Sequence, residues 1–133
     1  MRLIFSLTLF VLLQACQPAG VAAPDLALTH QVQIAGHQLE YSPARLPVES
    51  LLTLQLTPAQ PIISAKGKIE GISNYMGQIP LSFSFDASSQ RWQSQFMLGA
   101  CTEPQMRWRL TLELTTVTGQ KIQLEDQFIS SLY

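Results

Sequence analysis

Charge is scarce in this chain. Only 13% of its 133 residues are charged, eight basic against nine acidic, and no run of either sign occurs. The lack of a basic patch excludes a nucleic-acid surface. Histidine is limited to His30 and His37. There is no His-Glu-x-x-His, no Cys-x-x-Cys and no Gly-x-Ser-x-Gly, so the usual marks of zinc hydrolysis, dithiol exchange and a nucleophile elbow are missing. Glu40, Glu103, Glu125 and Asp126 are scattered along the chain, as expected of a solvated surface. The expectation is a protein that is not an enzyme. No apolar run reaches the roughly 20 residues of a spanning helix. Helical periodicity, internal repeats and low-complexity tracts are also absent. Cysteine occurs twice, as Cys16 and Cys101.

The first cysteine closes a leader. Arg2 precedes an apolar run from Leu3 to Leu13, the length of a signal-peptide core. The run ends in "LQAC", residues 13–16, which resembles the bacterial lipobox. The resemblance implies cleavage before Cys16, a diacylglyceryl group on its sulfur and a further acyl chain, such as palmitate, on its amine. Each buried methylene adds about 0.8 kcal/mol, so two or three chains anchor stably. Gln17, where an Asp would retain a lipoprotein in the inner membrane, implies an outer-membrane lipoprotein facing the periplasm. The expected organisation is a lipoprotein signal peptide over 1–15, a lipidated Cys16 with a tether of small residues and prolines over 16–25, and one domain over 26–133. The membrane is then a partner through the N-terminal lipid, and a second partner would be an envelope protein. With Cys16 carrying lipid, Cys101 is the sole free thiol in an oxidising compartment and cannot form an intramolecular disulfide.

From Leu26 onward the pattern alternates with period two, the mark of half-buried strands. In "MRWRLTLELT" Met106, Trp108, Leu110, Leu112 and Leu114 share one face. Ile79, Leu81, Phe83 and Phe85 share another, as do Ile63, Ala65, Gly67 and Ile69. Leu52, Leu54 and Leu56 line up, as do Trp92, Phe96 and Leu98, and Ile122, Leu124 and Phe128; at the start, Leu28, His30, Val32 and Ile34 align. Turn-forming clusters at 58–61, 73–77, 86–90, 99–104 and 118–119 separate these segments. The expected fold is all-β, a single antiparallel immunoglobulin-like β-sandwich of about seven strands. Residues 37–50 read as a long connection.

Seven alternating strands would place the 36–49 connection, the "SNYMG" loop and the "GACTEP" loop at one pole. His37, Met76, Met97, Cys101 and Met106 would meet there, and the tether would enter at the opposite pole. Thiolate and thioether are soft ligands that suit Cu(I). The expected Cu(I) site therefore takes Met76, Cys101 and Met106, with Met97 as an accessory ligand and His37 as a further one from the same pole. Met97 falls out of phase with Phe96 and Leu98, which puts it off the core face. Packing is the competing reading. Met106 is in phase with Trp108, Met76 could plug a loop, and a free Cys often behaves as a small hydrophobe.

The segments "SNYMGQIP" and "LGACTEPQMRW" resemble parts of small exported immunoglobulin-like domains of the YtkA-like and FixH-like kind, over about residues 62–115. That resemblance implies copper handling, carried by Met76, Cys101 and Met106. The alternative function is a non-catalytic envelope interaction module with no metal.

Overall fold

The computed structural model describes residues 28–132. The leader expected over 1–15 and the lipidation site and tether expected over 16–25 lie wholly outside them. The described chain is an antiparallel β-sandwich with no helix. Its strands are β1 (His30–Ile34), β2 (His37–Ser42), β3 (Leu52–Thr57), β4 (Ile62–Gly71), β5 (Gln78–Ser82), β6 (Ser84–Asp86), β7 (Arg91–Phe96), β8 (Arg107–Thr116) and β9 (Lys121–Ile129). One sheet has the order β1-β2-β3-β7-β6 and the other β5-β4-β8-β9. Leaving out β1, the two sheets have the A-B-E-D and C′-C-F-G orders of immunoglobulin-like domains. The chain passes from one sheet to the other at Phe83, between β5 and β6.

Nine strands replace the seven expected, for two local reasons. First, residues 37–42 are a strand rather than the start of a connection. His37, Leu39 and Tyr41 are buried, alternating with half-buried Gln38, Glu40 and Ser42. The turn into this strand is two residues, Ala35 and Gly36, both at positive φ (50° and 82°). That is the backbone of the tight primed hairpin turns. Second, the "QIPLSFSF" segment is divided between sheets, and Phe85 is exposed at an open edge, with its ring 5.5 Å from that of Trp92. A further correction concerns Ile63. The register of β4 against β8 shifts between Ile62 and Ser64. Ile62 therefore packs against the core and Ile63 faces solvent.

The core lies between the sheets. β3 contributes Leu52, Leu54 and Leu56, and β8 contributes Trp108, Leu110, Leu112 and Leu114, all fully buried or nearly so. Each such side chain stabilises by about 1.5–3 kcal/mol. Two buried polar contacts fix the sheets to each other and to the C-terminal segment. Tyr41 of β2 donates its hydroxyl to Asp126 of β9 across the sandwich at 2.6 Å. The Trp108 indole N–H donates to Ser130 at 3.0 Å.

The extra strand changes which ends meet. The β1–β2 turn, the 58–61 turn and the 117–120 turn lie at one pole, where the His37 ring meets the backbone of Ala59. The 43–51, 72–77 and 97–106 connections lie at the other, together with the C-terminal segment. There the Glu49 N–H donates to the Leu98 carbonyl, the Val48 N–H to Ser131 and the Ile72 N–H to Arg107. The first described residue, Leu28, is at this second pole, its carbonyl accepting the Ala44 N–H at 2.7 Å. The chain thus enters the domain beside the Met and Cys loops, not opposite them as expected. The two ends are called below the histidine pole and the cysteine pole.

Candidate functional site

At the cysteine pole the 72–77 loop leaves β4 and the 97–106 loop leaves β7, one from each sheet. They are held against each other by the side chains that alternation left without a strand partner. The Asn74 carboxamide donates to the Cys101 sulfur at 3.4 Å. Ser73 accepts the N–H of Arg107 at 3.1 Å. Met76 lies over Gly99: a Cβ built on that glycine would stand 3.4 Å from the methionine methyl. Beneath both loops, Met106 is 1% exposed and its methyl packs against Gly71. A Cβ on Gly71 would collide both with that methyl and with the Asn74 carbonyl oxygen.

Three of the expected residues, Met76, Cys101 and Met106, therefore lie at the same pole, each against a different neighbour: Gly99, Asn74 and Gly71. Met76 is exposed, Cys101 is half-buried against the core, and Met106 forms the floor. Met97 reaches the same pole but on the flank of its sheet. It is 53% exposed, and continuing the pairing of Leu52 with Phe96 sets it opposite Leu51 on the outer flank of its sheet. His37 is not brought in at all. It is buried at the histidine pole, and its Nδ1 accepts the Ala59 N–H at 3.2 Å. The cause is the β1–β2 hairpin, which sends residue 37 to the end opposite the one that a long connection would give it. His30 is exposed, its ring stacked 6.0 Å from that of Tyr41.

The thiol is chemically conditioned by its surroundings. Backbone hydrogen bonding from Glu103, followed by the Asn74 carboxamide, favours the thiolate and holds Cys101 below the ordinary thiol range. A thiolate is the form that attacks electrophiles and ligates metals. Among the described residues, no three His, Cys, Asp or Glu side chains are grouped to hold a metal ion. Any donor set here consists of one thiolate and two thioethers. Asn74, Gly71 and Gly99 are the site residues that the sequence did not point to. Asn74 and Gly99 sit in stretches that read as ordinary turn chemistry, and Gly71 is the last residue of β4.

No protein-family model matches the chain. No curated protein matches it either. Among solved structures it is similar to that of a DUF4426 family protein from Pseudomonas aeruginosa PAO1, with a TM-score of 0.51 and 10% identity. The alignment covers 77% of this chain and 94% of that one. At that identity the likeness shows the fold alone, a second instance of this β-sandwich.

Proposed function

We propose that this chain is an outer-membrane lipoprotein of the periplasm that binds or passes on Cu(I), without catalysing a reaction. The observation that carries the reading is that the Cys101 loop and the Met76 loop meet at one pole, through Asn74 on Cys101 and Met76 on Gly99, with buried Met106 packed on Gly71 at the same end. One thiolate with two thioethers is a soft set, suited to a monovalent ion that tolerates low coordination, and among the described residues no three carboxylate, imidazole or thiol groups cluster there to hold a hard cation instead. The lowered thiol pKa adds to this, because the ligand must shed its proton to bind. Met76, which is exposed, and Cys101, which is half-buried, would be the outer donors, and buried Met106 would donate from below. Met97, on the flank, and His37, at the other pole, are left out.

Adding Cu(I) anaerobically to the reduced whole chain should generate ultraviolet thiolate-to-copper charge-transfer absorption, saturating at one equivalent. The absorption should vanish in Cys101→Ser. A spectrum unchanged by Cu(I) would sink the reading. A second reading is an envelope interaction module, which the apolar character of the same pole favours: Tyr75 is 73% exposed there, and Met97 and Leu132 are exposed at the same end.

A further inference from the structure

Exposed apolar side chains are unevenly placed on this domain. Among the described residues, Leu28, Leu51, Tyr75, Met97, Ile129 and Leu132 are all exposed and all belong to the cysteine pole, as does exposed Met76 of the site above. Only Ile63, Phe85 and Val117 lie towards the other end. The six are arranged as a collar. Leu51 and Met97 stand on the outer flank of the first sheet, and Ile129 stands on the outer face of the second, opposite Arg107. Tyr75 and Leu132 come from the loop and the C-terminal segment at the end itself, and Leu28 marks where the chain enters. Exposed apolar side chains gathered at one end of a domain mark an interaction surface.

We infer that this collar docks on the acyl surface of the membrane that carries the lipid anchor, so that the cysteine pole faces the bilayer. The inference rests on the anchorage at Cys16 proposed above. The length of chain between anchor and domain selects this occupant. Residues 17–27 span at most about 40 Å when fully extended. They join the domain at Leu28, which is tied to Ala44 at the cysteine pole. Strands of ten residues such as β4 and β8 are about 33 Å long. Turning the histidine pole to the membrane would use nearly the whole tether just to run the length of the domain. With the cysteine pole down, the collar is already within reach, and a tethered surface makes its contact as an intramolecular event at high effective concentration. The local charges, Arg45 and Arg107 against Glu49 and Glu103, balance in number. Contact is therefore apolar rather than electrostatic, and insertion is to the shallow depth of an interfacial element, about 5–10 Å.

The test uses the full lipidated chain in liposomes whose lipids are brominated on the acyl chains, with ordinary lipid as reference. Met97→Trp and Tyr75→Trp report from the collar and Val117→Trp from the histidine pole. The signal of the parent protein, from the buried Trp108 and the half-buried Trp92, is subtracted. In protein that floats with the liposomes, the collar reporters should lose most of their emission in brominated lipid, and Val117→Trp should be equally bright in both. Salt and anionic lipid should leave the quenching unchanged. Equal emission at the collar in floated protein would overturn the docking while the anchorage stands. Emission that shifts to the blue only as protein density on the vesicles rises would identify a second copy of the chain as the occupant and overturn it too. Quenching at both poles would remove the orientation. Protein that fails to float would remove the anchorage and the docking with it.

Discussion

The Asn74 carboxamide and the Cys101 sulfur are 3.4 Å apart, joining loops that leave opposite sheets of the sandwich. This contact conditions the only free thiol among the described residues. Asn74→Ala should move the Cys101 pKa up, toward the ordinary thiol value of about 8.5. The backbone contribution of Glu103 is larger and stays in place, so the shift should be partial. The pH dependence of alkylation by iodoacetamide measures it. A profile identical to that of the parent would show that Asn74 does not act on the thiol.

Gly71 is required by close approach. Its missing Cβ leaves room for the Asn74 carbonyl and the Met106 methyl at once. Gly71→Ala should cost about 1–3 kcal/mol, as overpacking does. It should also displace Asn74 and so raise the Cys101 pKa. Urea denaturation reads the first effect and alkylation the second. A stable variant with an unaltered thiol would contradict the packing described.

Tyr41 and Asp126 form the cross-sheet contact with the most at stake. Burial, then the hydrogen bond and charge of Asp126, push the Tyr41 phenol far above its ordinary range. The phenol should therefore not ionise at alkaline pH until the domain unfolds, which absorbance near the phenolate band would report. Tyr41→Phe leaves a half-buried carboxylate without its donor and should cost about 1.5–3 kcal/mol, the range for hydrogen bonds to charged groups.

His37 gives the pH dependence of stability an acid limb. Burial holds its pKa below 6.5 in the folded chain, and its Nδ1 must stay unprotonated to accept from Ala59. The unfolded chain binds a proton at His37 near pH 6.5, where the folded chain does not. Stability should therefore fall as the pH drops below about 6.5, and level off once the pH passes the lower folded value. His37→Gln, which cannot titrate, should flatten this limb in chemical denaturation at a series of pH values. An acid limb that is unchanged in the variant would assign the effect elsewhere.

Much of the sandwich is legible in the sequence because its long strands alternate cleanly. Met106 to Leu114 and Leu52 to Leu56 read straight from period two and are buried as read. What misleads is specific. The β1–β2 hairpin turns on Ala-Gly rather than the Asn-Gly that marks such turns, and the strand after it opens on a buried histidine. Residues 37–42 therefore look irregular, and missing that one strand exchanges the poles for everything N-terminal to it. His37 leaves the site and the tether joins it. The loops after β4 and β7 keep their places because the strand count between them is right. Ile63 fails because a bulge is a backbone event that no side-chain pattern announces. Asn74 and Gly71 are illegible for a different reason, since their roles lie in contacts with residues about 30 positions away.

The central claim is that Cys101 and Met76 hold one copper ion between them. The measurement that tests it most directly is an anaerobic competition of the reduced whole chain against a Cu(I) chelator of known affinity, run beside Cys101→Ser and Met76→Leu. The predicted result is one ion per chain, with competition abolished in Cys101→Ser and weakened in Met76→Leu. Failure of the parent chain to draw Cu(I) from the chelator, or equal affinity in all three proteins, would contradict it.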